Sequence, residues 1–399
     1  MEQSRIYLDH AATTPTDQRV VEAMLPYLSD LWGNPSSIYF EAREARKGLD
    51  AARRTVAEAL GARPTEVIFT SGGSESDNLA LRGVAYAQMG GRRRGNHIIT
   101  TRIEHHAVLH TAERLEQEGF RITYLPVDRE GVVDLEALER ALDDETILVS
   151  VMYANNEVGA IEPIADVARI VKERDPHIVV HTDAVQAAGY RDLNVNRLGV
   201  DLLSLAGHKI YGPKGMGVLF VRTRTPFVPQ TLGGTQEKNR RAGTENVAGA
   251  VGMATALRLA EEERDERSAH ARTLRDRLLA ELPKRTPGIH VTGPSDPERR
   301  LPNSFSCCFE RVEGESVLLQ LDLNGISASS GSACTTGSLE PSHVLLAMGV
   351  AHELARGSLR LTLGTGNTME EIDRVLEIVP NAVEKIRALA PRAATATRR

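Results

Sequence analysis

Between residues 66 and 221, short apolar runs rich in β-branched residues alternate with longer stretches of helical periodicity, and this alternation restricts the fold more than any other feature of the chain. Strands are expected at Glu66 to Thr70, His97 to Thr101, Arg121 to Val127, Ile147 to Tyr153, Ile178 to Thr182, Leu202 to Leu205 and Val218 to Val221. Strands joined through helices pair in parallel, so the reading is α/β: a mostly parallel seven-stranded sheet flanked by helices, with ligands held at the carboxyl ends of strands. The acidic run Glu261 to Arg267 then opens a long polar helix that leads into a smaller α+β C-terminal domain. That domain has expected strands at Gly288 to Thr292, Ser304 to Phe309 and Leu359 to Leu363, and a closing helix from Met369 to about Ala390. The boundaries this gives are 16–260 for a large domain, and 1–15 with 261–399 for a small one.

Composition removes several classes of function. With 41% hydrophobic and 26% charged residues over 399 positions, the chain has the make-up of a soluble globular protein. A formal net charge of −6 gives no general attraction to nucleic acid or to an anionic membrane. No apolar stretch approaches the roughly 18 residues of a membrane span, and the amino terminus lacks the apolar core of a signal peptide, so a cytoplasmic location is expected. Three cysteines make neither a disulfide framework nor a paired metal motif. Two of them, Cys307 and Cys308, fall in one strand-like run, where they should point to opposite faces as small structural residues.

The chemistry gathers at the ends of the expected strands. In Ser204-Leu-Ala-Gly-His-Lys209-Ile-Tyr-Gly-Pro-Lys-Gly215, a lysine follows an apolar strand and precedes a turn rich in Gly and Pro. Lysine amines form Schiff bases with carbonyl cofactors, of which pyridoxal 5′-phosphate is the commonest. Upstream, the strand through His177-Ile-Val-Val-His-Thr ends at Asp183. A buried carboxylate there would serve the pyridine nitrogen of such a cofactor, although alone it reads better as a helix N-cap. Gln186 is a donor for the cofactor phenolic oxygen or a solvated amide. In Glu66-Val-Ile-Phe-Thr70-Ser-Gly-Gly-Ser74-Glu-Ser-Asp-Asn78 a strand runs through a small-residue loop into a helix, whose first backbone NH groups at Gly73 and Ser74 form an anion site suited to a phosphate. His105 and His106 follow another strand, and an imidazole there can exchange protons near neutral pH.

Taken together, Tyr7-Leu-Asp-His-Ala-Ala-Thr-Thr-Pro15, Phe69 to Asn78, Glu104-His-His-Ala-Val108, Asn155-Asn-Glu-Val-Gly159, the aspartate and lysine segments, and Ser329-Ser-Gly-Ser-Ala-Cys334 resemble cysteine desulfurase, a family of fold type I pyridoxal-phosphate enzymes, over roughly residues 5 to 390. The resemblance implies that Lys209 binds the cofactor covalently and moves the substrate Cα proton. It selects His105 as the residue that stacks on the cofactor ring, and places Asn156, Gly207 and His208 in the cofactor site. Asn156 also borders the substrate, and Arg360 grips its carboxylate with a bidentate fork that lysine cannot copy. Thr244 would reach the cofactor phosphate of a second subunit, which implies a homodimer.

Cys334, in a small and polar segment, would attack the sulfur of L-cysteine as a thiolate, leaving L-alanine and a persulfide. The implied partners are L-cysteine and an iron–sulfur scaffold or other sulfur-acceptor protein, with no resident metal and Cys334 as a candidate transient cluster ligand alongside a scaffold. Ala206 departs from the pattern, standing where many members carry a phosphate-binding serine. A selenocysteine lyase, or another pyridoxal-phosphate enzyme of aminotransferase type, would share the cofactor residues; a catalytically idle scaffold would not require them.

Overall fold

The computed structural model describes residues 5–89, 95–331 and 340–389, and within them twelve strands. In chain order these are β1 (Ile6–Tyr7), β2 (Val67–Thr70), β3 (His97–Thr101), β4 (Arg121–Leu125), β5 (Thr146–Ser150), β6 (Val179–Asp183), β7 (Leu202–Ala206), β8 (Gly217–Val221), β9 (Ile289–Val291), β10 (Ser304–Phe309), β11 (Ile326–Ser327) and β12 (Ser358–Thr362). Seven of them form one sheet in the order β2-β8-β7-β6-β5-β3-β4. Pairing is parallel from β7 through to β4, whereas β8 runs antiparallel to both β7 and β2. The connection over residues 207–216 explains β8: it is shorter than the dozen or so residues a parallel crossover needs, so the chain can only turn back.

Every strand of this sheet except the edge strand β4 is buried along its whole length, as expected where helices cover both faces. Alternation along β2 shows the two layers. Val67 and Phe69 enter a core shared with Leu49 and Val56 of the helix Phe40–Leu60 and Met253 of the helix Val247–Glu262. Ile68, between them, faces Leu79, Leu81 and Val84 of the helix Gly73–Met89 on the other side.

A second core lies under the antiparallel sheet β12-β10-β9, where Phe305 and Cys307 meet Leu274 and Leu278 of the helix Arg264–Arg285 and Val375 and Val379 of the helix Met369–Leu389. Ile6 and Leu8 join this core, and β1 pairs in parallel with β11. The pair β1 and β11 has no counterpart in the sequence reading, because two residues are too few to show a period.

In the large sheet two expected strands end early. β4 stops at Leu125 rather than Val127, and β5 at Ser150 rather than Tyr153. Beyond Ser150 the backbone still donates from Val151 to the His181 carbonyl (3.1 Å) and from Tyr153 to that of Asp183 (2.8 Å), so the segment runs on beside β6 without forming a regular ladder. The acidic run at 261–267 straddles the junction of two helices at Glu263 rather than starting one. Cys307 and Cys308 do face opposite sides, Cys307 into the second core and Cys308 towards Ile103 and Met152.

Candidate active site

The carboxyl ends of β6 and β7 open into a cavity of about 390 Å³, in the size range of small-ligand sites. Lys209, Asp183, His105, Gly73, Ser74, Asn156, Gln186, His208 and Arg360 all line it. These residues come from six separate segments of the chain; the parallel topology brings those of the large sheet to one edge, and Arg360 joins them from the second sheet.

Lys209 closes a single turn of 3₁₀ helix, Gly207–Lys209, immediately after β7. Gly207 is buried behind the turn and not in the cavity wall: its carbonyl accepts from the backbone NH groups of Ile210 (3.0 Å) and Gly212 (2.9 Å), and a Cβ there would stand 3.0 Å from the Pro213 carbonyl oxygen. Lys209 Nζ donates to the carbonyls of Ala11 (2.5 Å) and Ala12 (2.7 Å), and Gln186 Nε2 donates to the same Ala11 carbonyl (3.0 Å). The N-terminal segment therefore supplies a wall that holds the lysine head inside the cavity. His208 sets its Nδ1 3.2 Å from the Thr13 hydroxyl, and burial, reinforced by the charges of Lys209 and Lys214, lowers its pKa to about 4.

Asp183 ends β6 and accepts the Val185 backbone NH at 2.9 Å. Burial raises its pKa to about 6 against the opposing effects of that hydrogen bond and of Lys209. A cationic ring nitrogen beside it would favour the ionised form. His105 caps the helix His106–Gln117, its Nδ1 accepting the Ala107 NH at 3.1 Å. Burial first, and then the charge of Lys209, pull its pKa down to about 4. The ring is thus neutral near pH 7, and its accepting Nδ1 assigns the proton to Nε2. His106 turns away to stack against His110 and His343.

The loop before the helix Gly73–Met89 is fixed by the Thr70 and Ser76 hydroxyls at 2.7 Å, and Ser76 Oγ donates on to the Val218 carbonyl (3.1 Å). The loop lies hard against β8, where a Cβ on Gly217 would stand 2.6 Å from the Gly72 backbone. The helix start with its NH groups at Gly73 and Ser74 consequently faces the cavity, as an oxyanion requires. Ala206, at the end of β7, is part of the same wall.

Arg360 reaches the cavity from β12 on the second sheet and is buried. Its Nη2 donates to Asp9 Oδ1 (2.7 Å) and its Nη1 to the Asn156 carbonyl (2.9 Å), while its Nε has no partner among the described residues. The guanidinium is thus held by the protein at both terminal nitrogens. Asn155, beside Asn156, is committed to folding its own turn, with Oδ1 accepting the backbone NH groups of Glu157 (2.8 Å) and Val158 (2.9 Å).

Thr244 is exposed and stands outside this chain's own cavity wall. Its neighbour Arg241 pairs with Glu75 at 2.8 Å. Cys334 lies outside the described residues. The segment leading to it is anchored at the site: Arg360 NH donates to the Ser329 carbonyl (2.6 Å), Ser358 Oγ to that of Ser330 (2.7 Å), and Gly331 lines the cavity. The other two cysteines are fully buried, and burial pushes the Cys308 thiol up to about 12 and that of Cys307 well above its ordinary value, which makes both poor nucleophiles.

Sequence reasoning missed Ala11, Ala12 and Asp9 as parts of the site, because their roles rest on backbone carbonyls and on a partner some 350 positions away. It also missed Asp77, four residues into the phosphate-loop helix, whose carboxyl lines the cavity. No group of three or more His, Cys, Asp or Glu side chains among the described residues could hold a metal ion, and no described helix is long and apolar enough to cross a membrane.

The amine, the carboxyl, the neutral imidazole, the helix start and the arginine fork in one cavity fit pyridoxal phosphate with an amino-acid substrate. Comparison with known proteins agrees. The profile of the aminotransferase class-V family matches residues 6–375. The chain is 50% identical over 387 residues to a cysteine desulfurase IscS of Clostridium botulinum, covering 97% of this chain and 96% of that one. It is 51% identical over 390 residues to a cysteine desulfurase IscS of Methanosarcina thermophila, covering 98% and 95%. Among solved structures, a NifS-like protein superposes with a TM-score of 0.88 at 41% identity, over 97% of this chain and 100% of that one. SspA in complex with cysteine superposes with a TM-score of 0.78 at 34% identity, over 91% and 100%.

Proposed function

The chain belongs to the aminotransferase class-V family, and we infer that it is a cysteine desulfurase, a pyridoxal-phosphate enzyme that converts L-cysteine to L-alanine and passes on the sulfur. The observation that carries this reading is the meeting of Lys209, Asp183 and Arg360 in one cavity of a chain about half identical, along nearly its whole length, to proteins of that name.

When bound, the cofactor supplies an electron sink for the carbanion at the substrate Cα. Lys209 would hold it covalently, with Asp183 at the ring nitrogen, the helix start at Gly73 and Ser74 at the phosphate, and Gln186 and His208 at its border. Arg360, braced by Asp9, orients the substrate through its carboxylate, with Asn156 beside it. Lys209 Nζ takes the proton from Cα, and His105, neutral with its proton on Nε2, can give and recover a proton at the face of the ring.

Cys334 receives the sulfur. Its thiolate attacks the substrate sulfur, the bond from that sulfur to Cβ breaks, and the carbon takes up a proton. L-cysteine and a thiol thereby become L-alanine and a persulfide, with no external oxidant. That Cys307 and Cys308 are buried supports Cys334 in this role. The iron–sulfur or other acceptor protein that takes the persulfide belongs to the same proposal, as does a cytoplasmic setting.

The proposal extends to a homodimer and to two domains, 16–260 and 1–15 with 261–399. Leu28, Trp32, Ile38 and Phe40 stand 64%, 66%, 89% and 62% exposed in one short stretch of chain, more apolar surface than a solitary subunit normally leaves in water. In this proposal Thr244, exposed and outside its own chain's cavity wall, serves the neighbouring subunit.

Quantifying alanine and sulfide from L-cysteine with reductant present tests the activity. Equal amounts of both are expected. Selenide and alanine from L-selenocysteine with no sulfide from L-cysteine, or pyruvate in place of alanine, would replace this reading with a lyase.

A further inference from the structure

Asp77 is unexplained by the roles assigned so far. It sits in the second turn of the helix Gly73–Met89, is 1% exposed, and lines the same cavity as Asp183. Its Oδ1 has no hydrogen-bond partner among the described residues. The nearest basic group is the His181 ring, whose Nε2 lies 3.7 Å away.

That ring cannot supply a counter-charge. Its Nδ1 lies 2.8 Å from the Ser150 hydroxyl and its Nε2 3.0 Å from that of Ser204, and burial lowers its pKa to about 3. His181 and Asp183 are two residues apart on β6 and so point to one face of the sheet, the face covered by the helix that carries Asp77. Ser150 on β5, His181 on β6 and Ser204 on β7 thus form a buried polar row across three strands, ending at Asp77.

The other charged groups near the pair leave it no cation of its own. Glu104, in the loop after β3, adds a third buried carboxyl. Glu75, on the same helix as Asp77, is taken by Arg241. Arg360 is engaged by Asp9, and Lys209 serves Asp183 and the Ala11 and Ala12 carbonyls. Two adjacent buried carboxyls under these conditions do not both ionise. Asp183 accepts the Val185 NH and feels Lys209, whereas Asp77 Oδ1 accepts nothing, so the charge belongs on Asp183.

We propose that Asp77 is a positioning residue that remains protonated at the end of the Ser150–His181–Ser204 row, giving Asp183 a neutral, ordered floor and leaving it the single anion that faces the cofactor ring nitrogen. This rests on the reading of the cavity as a pyridoxal-phosphate site. Burial, then the charge of Asp183, pushes Asp77 well above the ordinary aspartate range, with a Ser204 hydrogen bond opposing and Glu104 adding, in the same direction as the geometry.

Two cofactor-free measurements isolate the proton. In difference infrared spectra at pH 7, Asp77→Asn should remove a protonated-carboxyl band present in the parent protein. In thermal and denaturant unfolding, an acid with a raised folded pKa loses its contribution as pH rises, so Asp77→Asn should gain on the parent by up to about tenfold in unfolding equilibrium constant per pH unit above pH 5. A flat difference with no lost band shows an ionised Asp77 and overturns the proposal.

A third measurement, on protein loaded with pyridoxal 5′-phosphate, reads the positioning role through the pH midpoint of the visible absorbance. Asp77→Asn, which keeps a neutral polar group beside His181, should leave the midpoint in place, while Asp77→Leu, which puts an apolar side chain at the end of the row, should move it. A midpoint moved by Asn, or unmoved by Leu, also overturns it. If the protein takes up no pyridoxal 5′-phosphate, the site assignment fails, while the cofactor-free pair still decides where the proton lies.

Discussion

Arg360 on β12 and Asp9 in the N-terminal segment are joined by a 2.7 Å charged hydrogen bond beside the cavity, which ties the last strand of the second sheet to the N-terminal segment. The Asn156 carbonyl holds the other terminal nitrogen, so the guanidinium plane is fixed before any substrate arrives.

Asp9→Ala should therefore loosen the substrate grip without touching the cofactor. Losing one charged hydrogen bond of about 1.5–3 kcal/mol lowers kcat/KM for L-cysteine by roughly tenfold to a hundredfold, mostly through KM. Arg360→Lys should lose at least as much, because the charge stays and the fork goes. Steady-state kinetics alongside cofactor content checks both, and equal losses of cofactor and turnover would make the pair structural.

Ala206→Ser tests the departure in the phosphate wall. Ala206 is 2% exposed at the end of β7, and a Cβ placed on Gly73 would stand 3.5 Å from the Ala206 Cβ, so the position borders the helix start. A hydroxyl there should add up to one charged hydrogen bond and slow loss of cofactor on dialysis by about tenfold or more. Unchanged or faster loss would show the place already filled.

How far these residues were legible follows from where their information lies. Lys209, Asp183 and the Gly73–Ser74 loop each sit at the end of an apolar strand, so local pattern places them and the parallel topology brings them together. Asp9 and the carbonyls of Ala11 and Ala12 act through contacts that no local pattern carries. Asp77 belongs to the Glu66 to Asn78 loop motif, and only the depth of its burial sets it apart from a helix-surface acid. In the fold, the strong alternation of buried strands and helices was readable, whereas the two-residue pair β1 and β11 was not.

Glu162, in the segment after β5, gives a pH dependence separate from the site. It is 1% exposed, its Oε2 accepts the Val133 NH at 2.9 Å, and its Oε1 has no partner among the described residues. Burial raises its pKa to about 8, with the Val133 bond opposing and Asp128 adding. A raised acid contributes stability that is complete below the ordinary glutamate range and lost as pH climbs towards 8. Glu162→Gln should thus match the parent near pH 5 and exceed it by on the order of a few kcal/mol by pH 8. Denaturant unfolding across that range reads the gap, and a constant gap would mean an ionised Glu162.

Lys209→Ala should abolish both the visible absorbance of covalently held cofactor and all turnover, since the lysine held at the Ala11 and Ala12 carbonyls is the amine in the cavity wall. Absorbance spectra of the variant loaded with pyridoxal 5′-phosphate decide it. Retention of either property would remove Lys209 from the chemistry.

The central claim is that sulfur leaves L-cysteine for Cys334 while alanine is formed. Peptide mass analysis after a single turnover with L-cysteine, without reductant, measures this directly against the alanine released. The account predicts one added sulfur on the peptide carrying Cys334, one alanine per sulfur, and neither sulfur addition nor sulfide release in Cys334→Ser, which still binds the cofactor. Alanine and sulfide produced at the parent rate by Cys334→Ser, with no sulfur found on the parent peptide, would contradict it.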